Sequence, residues 1–414
     1  MKKLNNNQKL IIISIILIVI ILAIVITTNI ISNNRQISNE EYSAMTSNAN
    51  SNLVASYIKE GVKVGGITGT LKTLDTSDAT ATAEDIVKGK TAYVNGVKIT
   101  GTREPDNYYF TDSLGNTVKV PGGFEVVNPE DNVTDGIIIE DVNAGDEDTK
   151  GSQFVWIPVG DVITDKSGSR TKIELGRYTF SSTGVKNLAQ SAENGNWSKE
   201  VAINVYFKEL ASSNYGNATA KNLEDFIEKA IESGGYYIGR YEAGDALATT
   251  TARKSSTSDT NPMVCKAGVY PYSYVTQLQA SDLSKEMYNS SNFDSDLINS
   301  YAWDTAVVFL QLFSGDENYS NQIGNNTKNS LQKCGESILK KVDFGDESQD
   351  VRCNVYDMAG NTYEWTTETS SYDNRPCVSR GGRYDDNSVF TVGYYADTTT
   401  YNYVASSFRP ILYL

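Results

Sequence analysis

Residues 10–31, "LIIISIILIVIILAIVITTNII", form a nearly unbroken apolar run, and no other stretch restricts the chain as strongly. As a helix it is long enough to cross a hydrocarbon core of about 30 Å. No polar face interrupts it, which argues against a helix lying half-buried on a soluble core. Lys2, Lys3 and Lys9 precede the run, and Arg35 is the only nearby cation after it. The positive-inside rule therefore predicts a cytoplasmic segment 1–9, an uncleaved transmembrane helix 10–31 and an extracytoplasmic remainder, a single-pass arrangement at the cell surface. A cleaved signal peptide is the competing reading, but the run exceeds the usual h-region and no small-x-small site follows closely.

Composition narrows the chemistry. A formal charge of -15 and a pI near 4.6 remove the electrostatic basis for gripping a phosphate backbone, so nucleic acid is not an expected partner. The chain has no histidine, which excludes His-activated nucleophiles and imidazole metal sites. Cys265, Cys334, Cys353 and Cys377 all follow the apolar run, where disulfides can persist. They allow three connectivities, and four unpaired thiols in an anaerobe is an open alternative. None lies in a CxxC pair, so nothing points to zinc.

Residues 32–58 are polar and read as a stalk. An internal echo follows within 59–104: "EGVKVGGITGT" at 60–70 and "AYVNGVKITGT" at 92–102, each with β-branched residues around turn glycines. Two copies are too few for a self-sufficient solenoid. From 106 to 414 the spacing predicts strands in "TVKVPGGFEVV", "SQFVWIPVG", "VAINVYF", "GGYYIGRYEAG", "CNVYDMAG", "CVSRGG" and "SSFRPILYL". Helices are predicted in "KNLEDFIEKAIESGG", over 300–313 and around 327–341. Short strands, few helices and long loops indicate an α+β domain.

Two resemblances attach to these segments. The copy "ATAEDIVKGKTAYVNGVKITGT" resembles the short repeats of phage tail-fibre and bacterial surface proteins, which implies a spacer or attachment module. The ordered series "FVWIPVG", "YYIGRYEAG", "SYAWDTAVVFLQLF", "NVYDMAGNTYEWTTE", "SRGGRY" and "SFRPILYL" resembles the formylglycine-generating enzyme family over roughly residues 106–414. That likeness implies a C-type lectin-like fold, shared by copper-dependent oxidases and by binding proteins that kept only the frame.

Carried over residue by residue, the resemblance favours binding. The family's copper-binding cysteine pair lies between its "RGG" and "FR" motifs, and that interval here contains no cysteine. Copper is therefore not expected, and an oxidase acting on exported thiols is the alternative function. The likeness implies a Cys353–Cys377 disulfide between neighbouring strands. It also implies a structural calcium held by the side chains of Asp357 and Glu364 and the carbonyls of Gly360 and Thr362.

Residues 383–407 carry the candidate ligand surface. The stretch is rich in Tyr, Asp, Thr, Ser and Asn, the bias of paratopes. Its expected contacts are Arg383, Tyr384, Asp385, Asp386, Asn387 and Phe390, then Tyr394, Tyr395 and Asp397, then Tyr401, Asn402 and Tyr403. The segment is similar to the diversified segment in variable proteins of diversity-generating retroelements. The expected function is a membrane-anchored receptor or adhesin for an extracellular protein or glycan.

Overall fold

The computed structural model describes residues 6–33, 54–72, 76–180, 186–188, 198–200, 223–248, 261–321, 330–340, 347–370, 374–386 and 391–414. Contacts divide the chain into two compact units, Met1–Thr80 with Tyr93–Val97, and Ala81–Ala92 with Lys98–Leu414.

The apolar run lies within helix α1 (Asn6–Asn33), whose stretch Lys9–Thr27 is long and apolar enough to cross a membrane and is not covered by the rest of the chain. Two of its hydroxyls are satisfied internally: Ser14 Oγ donates to Leu10 O at 3.0 Å and Thr27 Oγ1 to Ala23 O at 2.6 Å.

The two sequence echoes have one local architecture. Each begins with a single 3₁₀ turn, Ala55–Tyr57 or Ala83–Asp85, and continues into a hairpin. Lys63–Val64 pairs with Ile67–Thr68 across Gly65 and Gly66, and Thr91–Val94 with Val97–Thr100 across Asn95 and Gly96. All four turn residues have positive φ, which is what a two-residue hairpin turn of the favoured twist requires. Closure also repeats: Thr70 N donates to Ala55 O at 2.8 Å, and Thr102 N to Ala83 O at 2.7 Å. A Cβ on Gly69 would run into the carbonyl of Ile58, and one on Gly101 into that of Ile86, so glycine is needed at both places.

The second unit is α+β. Eleven of its strands form two sheets: β1 (Phe124–Val126), β2 (Ile138–Asp141), β3 (Gln153–Pro158), β4 (Ser198–Glu200), β5 (Gly235–Gly239), β6 (Asp294–Leu297), β7 (Tyr363–Ser370), β8 (Cys377–Arg380), β9 (Tyr394–Asp397), β10 (Ser406–Phe408) and β11 (Pro410–Tyr413). The larger sheet runs β6-β11-β5-β3-β2-β1, antiparallel throughout. The other runs β4-β7-β8-β9, with β10 parallel to β7. Strands β3 and β5 are almost wholly buried, as expected for a continuous apolar run inside a sheet.

Three further helices are described. Helix α2 (Leu223–Glu232) buries Phe226 and Ala230, and the Phe226 ring meets the edges of Tyr236 and Tyr413 at 5.2 and 5.3 Å. Helix α4 (Ser300–Phe313) covers the expected span; Asn299 Oδ1 caps it by accepting from Ala302 N at 2.9 Å, and it lies against both β3 and β7. Helix α3 (Gln277–Glu286) was not foreseen. Its start is a capping box in which Thr276 and Gln279 satisfy each other's backbone N–H groups.

The helix expected around 327–341 is corrected. Among the described residues there, Gly335 at φ +79° breaks any helix, and Ile338–Lys340 is a strand paired with Glu347–Gln349. The stretch "VAINVYF" lies outside the described residues.

Candidate functional site: a tyrosine surface on an ion-paired frame

Strand β7 carries two kinds of chemistry, and its register with β8 shifts between Trp365 and Thr369. Glu364 and Glu368 are both drawn into buried ion pairs. Glu364 is gripped by Arg409 in a two-point pair, Nε to Oε2 at 2.9 Å and Nη2 to Oε1 at 2.6 Å. Arg409, between β10 and β11, also donates to Gly239 O at 2.7 Å on β5 and to Tyr356 O at 2.9 Å, and so ties the two sheets together. Four residues on, Glu368 takes a second fork from Arg380 at 2.6 and 2.7 Å and a third contact from Arg177 at 2.9 Å. These charges are at most 3% exposed, so they form the frame and cannot meet a ligand without unfolding.

The expected calcium set does not fit this arrangement. The Arg409 guanidinium already engages both oxygens of Glu364. The Gly360 carbonyl accepts from Thr362 N at 2.9 Å, while Asp357 Oδ2 accepts from Gly335 N at 2.5 Å. Asp357 Oδ1 is buried without a hydrogen-bond partner. Glu242 joins the cluster, accepting from Asn361 Nδ2 at 2.7 Å and from Thr362 Oγ1. Burial, reinforced by neighbouring carboxylates, holds the carboxyls of Glu242 and Asp357 well above the usual range. Among the described residues, no group of three or more acidic or sulfur side chains is arranged to hold a metal.

The expected disulfide is also corrected. Cys353 and Cys377 are both free thiols, as are Cys265 and Cys334. Cys353 sits at φ +42° in the turn between Val351–Arg352 and Val355–Tyr356, whereas Cys377 opens β8 opposite Thr369 and Asp397. Burial pushes the Cys265 and Cys353 thiols up to about 12 and the other two upward as well, so none supplies a thiolate near neutral pH.

The other side of β7 faces the tyrosine-rich segment. The Tyr363 hydroxyl donates to Asp386 Oδ2 at 2.7 Å, and its ring stacks on Tyr395 with centroids 5.5 Å apart and planes 14° from parallel. The Arg383 guanidinium lies over Tyr363 at 5.2 Å and over Tyr403 at 5.5 Å, with Asp385 Oδ1 2.8 Å from its Nε. Tyr384 N donates to Asn361 O at 3.0 Å, which ties this turn to the one preceding β7. Tyr401 meets the Trp365 edge at 6.1 Å and lies 6.3 Å from Tyr403.

The structure thus brings together Arg383, Asp385, Asp386, Tyr395, Tyr401 and Tyr403. Asn402 is exposed beside them, and Tyr394 stands opposite Arg380 in β9. Asp397 is different: it is 8% exposed, and burial pushes its carboxyl up to about 6. Asn387 and Phe390 lie outside the described residues. Sequence reasoning missed Tyr363, whose signal was the period-two alternation of "YEW". It also missed Tyr274, a non-glycine residue at φ +57° whose N–H donates to Tyr403 O at 3.1 Å. A cavity of about 170 Å³ lined in part by Thr117, Trp156, Asp161 and Arg170 shares no residue with this surface.

No family model and no curated protein matches the chain. Among solved structures it is similar to CarF at 15% identity, over 44% of this chain and 87% of that one, with a TM-score of 0.30. It is similar to PvdO from Pseudomonas aeruginosa at 11% identity, over 65% and 96% of the two chains, with a TM-score of 0.32. Treponema denticola variable protein 1 is similar at 11% identity, over 63% and 96%, with a TM-score of 0.29. Likeness at this level carries no argument, and the α+β class rests on the elements described above.

Proposed function

We propose that the chain is a membrane-anchored, outward-facing receptor or adhesin, in which a lectin-like frame presents residues 383–403 to an extracellular protein or glycan. The observation that supports this most is the division along β7. The Glu364–Arg409 and Glu368–Arg380 pairs of the frame are buried, while Arg383 is held between two tyrosine rings beside the exposed carboxylate of Asp385. An aromatic and charged cluster whose side chains already hold one another loses less entropy on binding. Diversification of this segment belongs to the same reading; a near-copy of its coding sequence differing only at adenines would support it.

The experiment compares full-length chain on cells with an Arg383→Ala/Tyr395→Ala variant against arrays of surface glycans and surface proteins. Binding lost more than tenfold in the variant, with unfolding unchanged, is expected. Stoichiometric Cu(I) binding, or oxygen uptake with a thiol peptide, would sink the binding reading in favour of an oxidase.

A further inference from the structure

Beside the tyrosine rings lies a carboxyl that nothing in the fold engages. Asp397 is 8% exposed, its Oδ2 is buried without a hydrogen-bond partner, and no described residue donates to either of its oxygens. Its strand is regular: β9 pairs with β8 residue for residue, Tyr395 opposite Ser379 and Asp397 opposite Cys377. Tyr395 and Asp397 are two residues apart and so point to the same face of that strand. Tyr395 is 41% exposed while its ring stacks on Tyr363, which leaves part of an aromatic surface open beside the carboxyl.

Two more polar groups belong to the same place. The Tyr401 hydroxyl is within electrostatic reach of Asp397 and Arg383 and beside Ser406, whose Oγ is also buried without a hydrogen-bond partner. Arg383 supplies donors: its side chain is 25% exposed, and neither Nη group donates to a described residue. A buried acceptor without a donor is costly to maintain, and a donor brought by a ligand removes that cost.

Charge narrows what the ligand is. Three carboxylates, Asp385, Asp386 and Asp397, act on the Arg383 guanidinium, and a second cation, Arg375, acts on Asp397. An anion drawn to Arg383 would face those three carboxylates, and a cation drawn to Asp397 would face the two guanidiniums; like charges placed in this way reject a charged partner of either sign. A hydroxyl escapes both penalties because it donates and accepts at once. The open tyrosine ring beside it suits the C–H face of a sugar.

We propose that the ligand is a neutral, hexose-containing glycan, one hydroxyl of which donates to Asp397 and accepts from an Arg383 Nη group while the sugar ring lies against Tyr395. The inference rests on the ligand-binding reading above and names the class of ligand. Asp397 is then the fixed acceptor on the floor of the site, and the exposed residues around it form the rim.

The test uses the full chain in a neutral detergent with albumin conjugates of neutral gluco-, manno- and galacto-oligosaccharides, beside conjugates of sialylated and uronate oligosaccharides, unmodified albumin and polylysine. Expected is binding to at least one neutral conjugate, competed by its free sugar and at least tenfold tighter than to any charged probe. Asp397→Ala and Tyr395→Ala should each weaken it at least tenfold; because Tyr395 is exposed, its variant reports on binding independently of any loosening that loss of Asp397 causes. Monodeoxy versions of the bound sugar separate contact from structure: one of them should lose at least tenfold with the wild type and nothing further with Asp397→Ala.

Tighter binding to a sialylated, uronate or polylysine probe overturns the inference. So does neutral-sugar binding that either variant leaves unchanged, or a deoxy series without that loss. A surface protein that binds through Arg383 and Tyr395 when no conjugate does overturns the inference and leaves the receptor reading standing, whereas absence of binding to every conjugate and every surface protein removes both.

Discussion

Replacing Arg409 by methionine tests the frame directly. The guanidinium is fully buried and makes two contacts to Glu364 and one each to Gly239 O and Tyr356 O. Removing one member of a buried pair costs about 3–5 kcal/mol, because the remaining charge is left uncompensated. Each lost bond to a carbonyl adds about 1 kcal/mol, with overlap between the contributions. The expected loss is about 5 kcal/mol, a large part of the roughly 5–15 kcal/mol that holds a typical domain together. The assay is urea unfolding of the full chain in detergent, followed by tryptophan emission, since Trp156, Trp303 and Trp365 are buried in the second unit. With an m-value of about 2 kcal/mol/M, the midpoint should fall by about 2 M. Adding Glu364→Gln should recover part of that loss by removing the stranded carboxylate. Arg409→Lys should fall between the two, since an ammonium keeps the charge but not the fork. A loss below about 1 kcal/mol, or a double variant no better than Arg409→Met alone, would refute the reasoning.

Three further outcomes follow from the same geometry. Because Arg409 occupies the carboxylate of Glu364, EDTA should leave the wild-type unfolding midpoint unchanged; a fall restored by calcium would show that the ion has a place there. Burial pushes the Asp304 carboxyl from 3.8 up to about 6, so its contribution to stability is fully present below pH 4 and is lost as pH rises through 6, a change of about 3 kcal/mol that Asp304→Asn should abolish in paired pH-unfolding curves. Thr276→Ala removes the cap of α3 and should cost about 1 kcal/mol in the same unfolding assay, whereas a neutral result would mean the box does not hold that helix.

Much of the local structure was legible and little of the long-range pairing was. Helix α4 could be read because Asn299 caps an apolar run whose length alone favours a helix, and α2 because Phe226 and Ala230 recur at helical spacing. The hairpins of the repeats were visible in their Gly-Gly and Asn-Gly turns. Helix α3 escaped because "QLQASDLSKE" is polar overall, although Thr276 and Gln279 spell a capping box. Around 327–341 the chain mimics helical spacing, and only the positive φ of Gly335 reveals the break. Asp357 and Glu364 are a different case. The family resemblance implied one calcium ion for both, whereas in the structure Glu364 pairs with Arg409, 45 residues away, and nothing in either local sequence specifies that choice.

The same pairing refines where ligand specificity can reside. A segment that varies from protein to protein must leave the frame intact, and several positions within 383–407 belong to the frame. Thr391 is fully buried, with its carbonyl accepting from Trp303 Nε1 at 3.1 Å; Asp397 is buried opposite Cys377; and Ala405, Ser406 and Ser407 lie buried at the start of β10. Asp386 is committed to the Tyr363 hydroxyl. What lies outside the buried frame is a narrower face made of Arg383, Asp385, Tyr395 and the turn through Tyr401, Asn402 and Tyr403. Tyr363 lies outside the tyrosine-rich segment yet supports three members of it, through its ring on Arg383 and Tyr395 and its hydroxyl on Asp386. If that face binds, substitutions at Tyr363 should weaken every ligand alike, whereas substitutions at Tyr395 or Asn402 should change which ligand is chosen. A Tyr363→Phe variant that altered preference without lowering affinity would contradict this division between frame and surface.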